Sequence, residues 1–111
     1  MIQKRHINVL GRTIDIAYNM ATQIAYEEIT GKPFDVADMD RTGNTMALYY
    51  ACIVANNRDT DITFDELIGN ADASDITTLR EAVTASFSDW CKSAMPDDGK
   101  KKKKEGKAKN S

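Results

Sequence analysis

Alternating apolar and polar residues near the N-terminus predict a β-hairpin. Ile7 and Val9 share one face of the first strand, and Ile14 and Ile16 share one face of the second. The dipeptide Gly11-Arg12 supplies glycine at the first central position of a type II′ turn. This turn predicts the pairs Leu10–Thr13, Val9–Ile14, Asn8–Asp15 and Ile7–Ile16. Because an isolated hairpin is only marginally stable, we expect its apolar face to pack on helices.

From Asn19 onward the apolar residues follow helical spacing. In the first predicted helix, which a stop signal at Gly31 ends, the apolar positions are Met20, Ala21, Ile24, Ala25 and Ile29. A loop is expected over residues 34–43 and a second helix over about residues 42–56. This second helix is apolar nearly all round, which is typical of a helix that is central or that covers a partner.

Two further helices are predicted after residue 60. Thr63 and Glu66 form a capping-box pattern at the start of a short third helix, which Gly69-Asn70 stops. Asp75 is expected to cap the last helix, which ends near Pro96. Its apolar stripe has steps of three or four residues and consists of Ile76, Leu79, Val83, Phe87, Trp90 and Ala94.

The charges divide the chain into an acidic body and a basic tail. Residues 1–99 carry eight Lys/Arg and sixteen Asp/Glu, whereas residues 100–111 carry seven lysines and one glutamate. We therefore expect a mainly α single domain over residues 1–96, with the hairpin followed by about four helices. Residues 97–111 contain almost no apolar side chains and are expected to be a disordered tail.

Few residues are suited to catalysis or metal binding. The chain has one histidine, His6, and two cysteines, Cys52 and Cys91, which are widely separated and are expected to be buried apolar side chains. Residues 55–66 can be aligned with a calcium-binding loop, but Ala55 takes the first ligand position and Thr60 the position of the turn glycine. The sequence therefore predicts no catalytic residues, no metal site and no cofactor.

The chain also lacks the features of a membrane or exported protein. No apolar run approaches the roughly 20 residues of a membrane span. Basic residues at the N-terminus are not followed by the apolar segment of an export signal. We expect a cytoplasmic protein.

Residues on the second and last helices and in the tail are the candidate partner-binding residues. Aromatic side chains dominate binding hot spots, and we include one aliphatic neighbour, giving Tyr49, Tyr50, Ile53, Phe87 and Trp90. The lysine run consists of Lys100, Lys101, Lys102, Lys103 and Lys104. Three roles remain open for it: solubilisation, contact with an acidic partner such as a second copy of the chain, or nucleic-acid binding, which the acidic body disfavours.

The order of elements resembles a known family. A short strand pair is followed by residues 24–34 (IAYEEITGKPF), the apolar helix at residues 47–52 (ALYYAC), and residues 62–67 (ITFDEL). An amphipathic helix and a charged tail complete the pattern. This arrangement resembles the tail assembly chaperones of long-tailed bacteriophages and prophages over roughly residues 6–95.

The resemblance implies a non-enzymatic role in the host bacterial cytoplasm. Members associate with the tape measure protein and help tail tube subunits polymerise around it. Many are also made in a longer form by ribosomal slippage, which adenine-rich lysine codons would favour. The alternative is a small regulatory or adaptor protein whose basic tail binds nucleic acid or an acidic partner.

Overall fold

The computed structural model describes residues 3–94, and the predicted basic tail with Lys100–Lys104 lies outside this range. An antiparallel hairpin comes first, with strands β1 (Arg5–Val9) and β2 (Arg12–Ile16). The helices that follow are α1 (Met20–Thr30), a 3₁₀ helix (Val36–Asp40), α2 (Thr42–Asn56), α3 (Phe64–Asn70) and α4 (Ala73–Ala94). The predicted fold class, an N-terminal hairpin followed by helices, is confirmed.

The hairpin register differs from the predicted one. Val9 pairs with Arg12 and Ile7 with Ile14, so the turn is Leu10-Gly11 and not Gly11-Arg12. Both turn residues have positive φ angles, 55° for Leu10 and 74° for Gly11, as a type I′ turn requires. A shift of two residues leaves each side chain on its predicted face, which is why the alternation could not reveal the error.

The apolar face of the hairpin lies on the helices, as predicted. Val9, Ile14 and Ile16 are buried in the core. Beyond β2, the backbone N–H of Tyr18 donates to the buried Ser86 hydroxyl of α4 at 2.7 Å. This bond fixes the segment between β2 and α1 against α4.

Helix α1 turns its polar residue Thr22 inward and part of its apolar stripe outward. Asn19 caps the helix by accepting from the Thr22 N–H at 3.0 Å, and the Thr22 hydroxyl donates to the Ala17 carbonyl at 3.0 Å. These bonds set the helix rotation so that Thr22 and Tyr26 are fully buried. Met20 and Ile24, on the face that a helix normally turns to the core, are 54% and 55% exposed.

Helix α2 occupies the centre of the molecule, consistent with its apolar surface. Ala51, Cys52 and Ile53 are completely buried, together with Leu67 of α3 and Leu79 of α4. The described residues share one hydrophobic core that takes in both the hairpin and the helices. None of the helices in residues 3–94 is long and apolar enough to cross a membrane.

The starts of α3 and α4 depart in detail from the predicted caps. Thr63 caps α3 as predicted, accepting from the Glu66 N–H at 3.0 Å, but the Glu66 carboxylate accepts instead from Arg12 at 3.1 Å. The cap of α4 is Asp72, not Asp75. The Asp72 carboxylate accepts from the Asp75 N–H at 2.8 Å, and the Asp75 carboxylate in turn accepts from the Asp72 N–H at 3.1 Å.

Candidate protein-binding groove

A mainly apolar groove lies between the 3₁₀ helix, α2 and α4. We call it the aromatic groove, and its volume is about 370 Å³. It is open to solvent on one side, where the side chain of Val36 is 59% exposed. Its lining consists of Phe34, Val36, Met39, Thr45, Leu48, Tyr49, Arg80, Val83, Thr84 and Phe87.

Short-range hydrogen bonds hold the 3₁₀ helix that forms one side of the groove. The Asp35 carboxylate accepts from the Ala37 N–H at 2.9 Å and so caps this helix. The other end is tied to α2, because the Thr45 hydroxyl donates to the Met39 carbonyl at 3.0 Å. These two attachments keep Val36 and Met39 on the groove side although the segment was predicted to be a loop.

Two of the groove residues, Phe34 and Phe87, belong to a cluster of packed aromatic rings. The ring of Tyr18 lies 4.9 Å from Phe87 and 5.5 Å from Phe34, measured between centroids, and Phe34 in turn lies 5.9 Å from Phe87. The two contacts of Phe87 are edge-to-face and the Tyr18–Phe34 contact is tilted, and aromatic pairs in such arrangements add to the stability gained from burial. The groove is therefore supported by packed side chains and does not have to be ordered by a ligand.

Charge is sparse inside the groove and concentrated beside it. Arg80 is the one charged residue of the lining, while the exposed carboxylates of Asp35 and Asp40 flank the 3₁₀ helix. Burial raises the pKa of the Tyr49 hydroxyl above its ordinary value of 10.0, at which the group is already neutral at physiological pH. A partner that binds in the groove would contact a mainly apolar surface with one positively charged residue, Arg80.

The structure separates the predicted partner-binding residues into two groups. Tyr49 and Phe87 line the aromatic groove. Ile53 is completely buried in the core, so it does not line the groove or face solvent in this structure. Tyr50 packs against Phe64 of α3 with ring centroids 5.6 Å apart, and its hydroxyl donates to the carbonyl of Ile62, before that helix, at 3.0 Å. Trp90 packs against Tyr18 with centroids 5.6 Å apart.

Among the groove residues that the sequence analysis did not select, three are large apolar residues of the predicted loop. Phe34, Val36 and Met39 stand among acidic residues in a segment predicted to be a loop. One signal in the sequence could have identified them: the six residues 34–39 contain three large apolar side chains in an otherwise polar segment. Val36 is the most exposed of the large apolar residues in the described range.

The arrangement suits binding of an apolar polypeptide segment. Within residues 3–94 no group of three or more His, Cys, Asp or Glu side chains is placed to hold a metal ion.

Comparison with known proteins identifies no relative of this chain. No family model matches the chain, and neither a curated protein nor a solved structure is detectably similar to it. The groove itself therefore provides the basis for a functional proposal.

Proposed function

We propose that the protein is a non-enzymatic phage tail assembly chaperone that shelters apolar segments of the tape measure protein before the tail tube covers them. The observation that carries this proposal is the aromatic groove, whose floor is formed by largely buried apolar side chains of α2 and α4 and whose open side carries the exposed Val36. These are the two helices that the sequence analysis assigned to partner binding. The resemblance in element order supplies the identity of the partner.

The size of the groove favours weak and reversible binding. A volume of about 370 Å³ accommodates a few apolar side chains of one amphipathic helix. A single contact of this size gives modest affinity, which allows release when tube subunits arrive. Several copies along one tape measure would supply avidity without any tighter individual contact.

The charge distribution fits the same role. An acidic body keeps many copies soluble when they are crowded on one partner. The lysine run at residues 100–104 provides a separate cationic segment that would recruit tube subunits or neutralise a neighbouring acidic body. The tail tube protein is therefore the second proposed partner.

Co-expression with the tape measure protein tests the proposal. We expect the full chain to keep tape measure fragments in the soluble fraction and to co-purify with them, whereas fragments expressed alone should precipitate. Failure to co-purify with any overlapping fragment, together with salt-sensitive binding to nucleic acid, would favour the adaptor function instead.

A further inference from the structure

We infer that a second copy of this chain docks on the outer face of α1, in a groove separate from the aromatic one. This α1–α2 groove has a volume of about 450 Å³. Its lining consists of Ala21, Ile24, Ala25 and Glu28 from α1, and Val54, Ala55 and Arg58 from α2 and the residues after it.

The floor of the α1–α2 groove has the composition of a helix-packing surface. Ala21, Ala25 and Ala55 are small enough to let another helix approach closely, while Ile24 projects among them and is 55% exposed. Met20, one turn before Ile24, is exposed to a similar extent at 54%. This helical spacing is that of a buried stripe, yet no described residue covers it.

The charges of the groove lie at its opposite ends. The Asn19 side chain donates to the Asn56 side-chain oxygen at 3.3 Å, so the end of α2 and the nearby Arg58 lie beside the start of α1. Glu28 lies nine residues after Asn19, roughly 13 Å further along the helix. Among residues 3–94 neither Glu28 nor Arg58 takes part in an ion pair.

A groove with apolar residues along its floor, an anion at one end and a cation at the other is complementary to itself under two-fold symmetry. If α1 of a second copy lies antiparallel across the groove, Glu28 of each copy meets Arg58 of the other and the two Ile24 side chains meet near the axis. The chain's own residues 95–111 offer only Met95, Pro96 and Ala108 as apolar side chains, so they fit this floor poorly. A second copy satisfies both the apolar floor and the terminal charges.

The extent of the surface predicts a reversible dimer. A helix of 11 residues is roughly 16 Å long, and one such helix pair buries less than the area of a standard stable interface. We therefore expect a dissociation constant on the order of micromolar. Dimerisation would double the number of aromatic grooves in one particle.

Sedimentation equilibrium of the full chain, over a range of concentrations at physiological salt, tests the dimer. We expect Glu28→Arg alone and Arg58→Glu alone each to weaken dimerisation by about tenfold, because each substitution replaces two attractive contacts with two repulsive ones. Glu27→Arg is the matched control, since Glu27 is exposed on α1 but outside the groove, and it should leave the dissociation constant unchanged.

The decisive sample is an equimolar mixture of the two single variants. In a heterodimer of the two variants, positions 28 and 58 carry opposite charges at both contacts, so heterodimers should form with near wild-type affinity. The double variant, which carries both Glu28→Arg and Arg58→Glu, should form homodimers with similar affinity for the same reason. A mixture no more associated than its components overturns the proposal, as does a wild-type chain that stays monomeric throughout. If Ile24→Glu removes tape measure binding while the wild type stays monomeric, the groove belongs to that partner and not to a second copy.

Discussion

Asn57 pairs with the backbone of Asp15 as a neighbouring strand would. Its side-chain Nδ2 donates to the Asp15 carbonyl oxygen at 2.7 Å, and its Oδ1 accepts from the Asp15 N–H at 2.9 Å. The Nδ2 group also donates to the Ile53 carbonyl at 2.7 Å. One side chain thus covers part of the outer edge of β2 and joins the hairpin to the end of α2.

Replacing Asn57 by alanine should destabilise the protein by about 2 kcal/mol, because two backbone groups of Asp15 lose their partner in a half-buried position. Urea unfolding monitored by circular dichroism measures the loss. Asn70→Ala is the matched control, since Asn70 is exposed at the end of α3, and it should change the unfolding free energy by less than about 0.5 kcal/mol. Equal effects of the two substitutions would show that the Asn57 bonds do not stabilise the hairpin.

Two glycines should respond to alanine with opposite signs. Gly31 ends α1 with a φ of 79°, whereas Gly69 lies inside α3, and a methyl group added at either would meet no atom within 4 Å outside the adjoining residues and the glycine's own helix backbone. Gly31→Ala should therefore cost about 1 kcal/mol from backbone strain alone. Gly69→Ala should stabilise by about 0.5 kcal/mol because alanine is the better helix former. Thermal unfolding of both variants checks the signs, and destabilisation by Gly69→Ala would contradict the open environment of that site.

Cys52 should make the stability of the protein sensitive to alkaline pH. Burial raises the pKa of its thiol from the ordinary 9.0 to about 12. Above pH 9 the unfolded chain loses this proton while the folded chain keeps it, so the contribution is present below pH 9 and is lost as the pH rises towards 12. Between pH 8 and pH 10 the unfolding free energy should fall by about 1 kcal/mol from this group.

The control for this pH dependence is Cys52→Ala. This variant should be less stable than the wild type at every pH because it lacks a buried side chain. Its free energy of unfolding should nevertheless fall less steeply between pH 8 and pH 10 than that of the wild type. Above pH 10 the buried tyrosines Tyr18, Tyr26 and Tyr49, whose pKa values burial also raises, add a decline that both proteins share. Parallel curves between pH 8 and pH 10 would contradict the assignment to Cys52.

Hydrophobic periodicity predicted the secondary-structure elements well, but it did not predict which residues pair across the hairpin. The hairpin and the central position of α2 followed from the spacing of apolar residues. The register could not be deduced from it, because a two-residue slip preserves the faces and because Leu10 adopts a positive φ that a leucine rarely adopts. The sequence provides no local indication of that exception.

The rotation of α1 and the lining of the aromatic groove depend on long-range contacts. Thr22 is buried because Asn19 and Ala17 bind its backbone and hydroxyl, and this polar network overrides the apolar stripe that includes Ile24. Phe34 reaches the core by packing on Tyr18 and Phe87, which are far away in the chain. Tyr49 and Phe87 could be selected from the sequence as aromatic residues on the correct helices. The sequence did not predict that they would line the same groove.

The most direct test of the chaperone proposal is the affinity of the full chain for a soluble tape measure fragment, measured by isothermal titration calorimetry. Val36→Asp is compared with Ile68→Asp, because both residues are more than half exposed, at 59% and 53%, and only Val36 lines the aromatic groove. We predict that Val36→Asp weakens binding at least about tenfold, because a charge enters an apolar contact, while Ile68→Asp binds like the wild type. Equal affinities of the wild type and Val36→Asp would contradict the account.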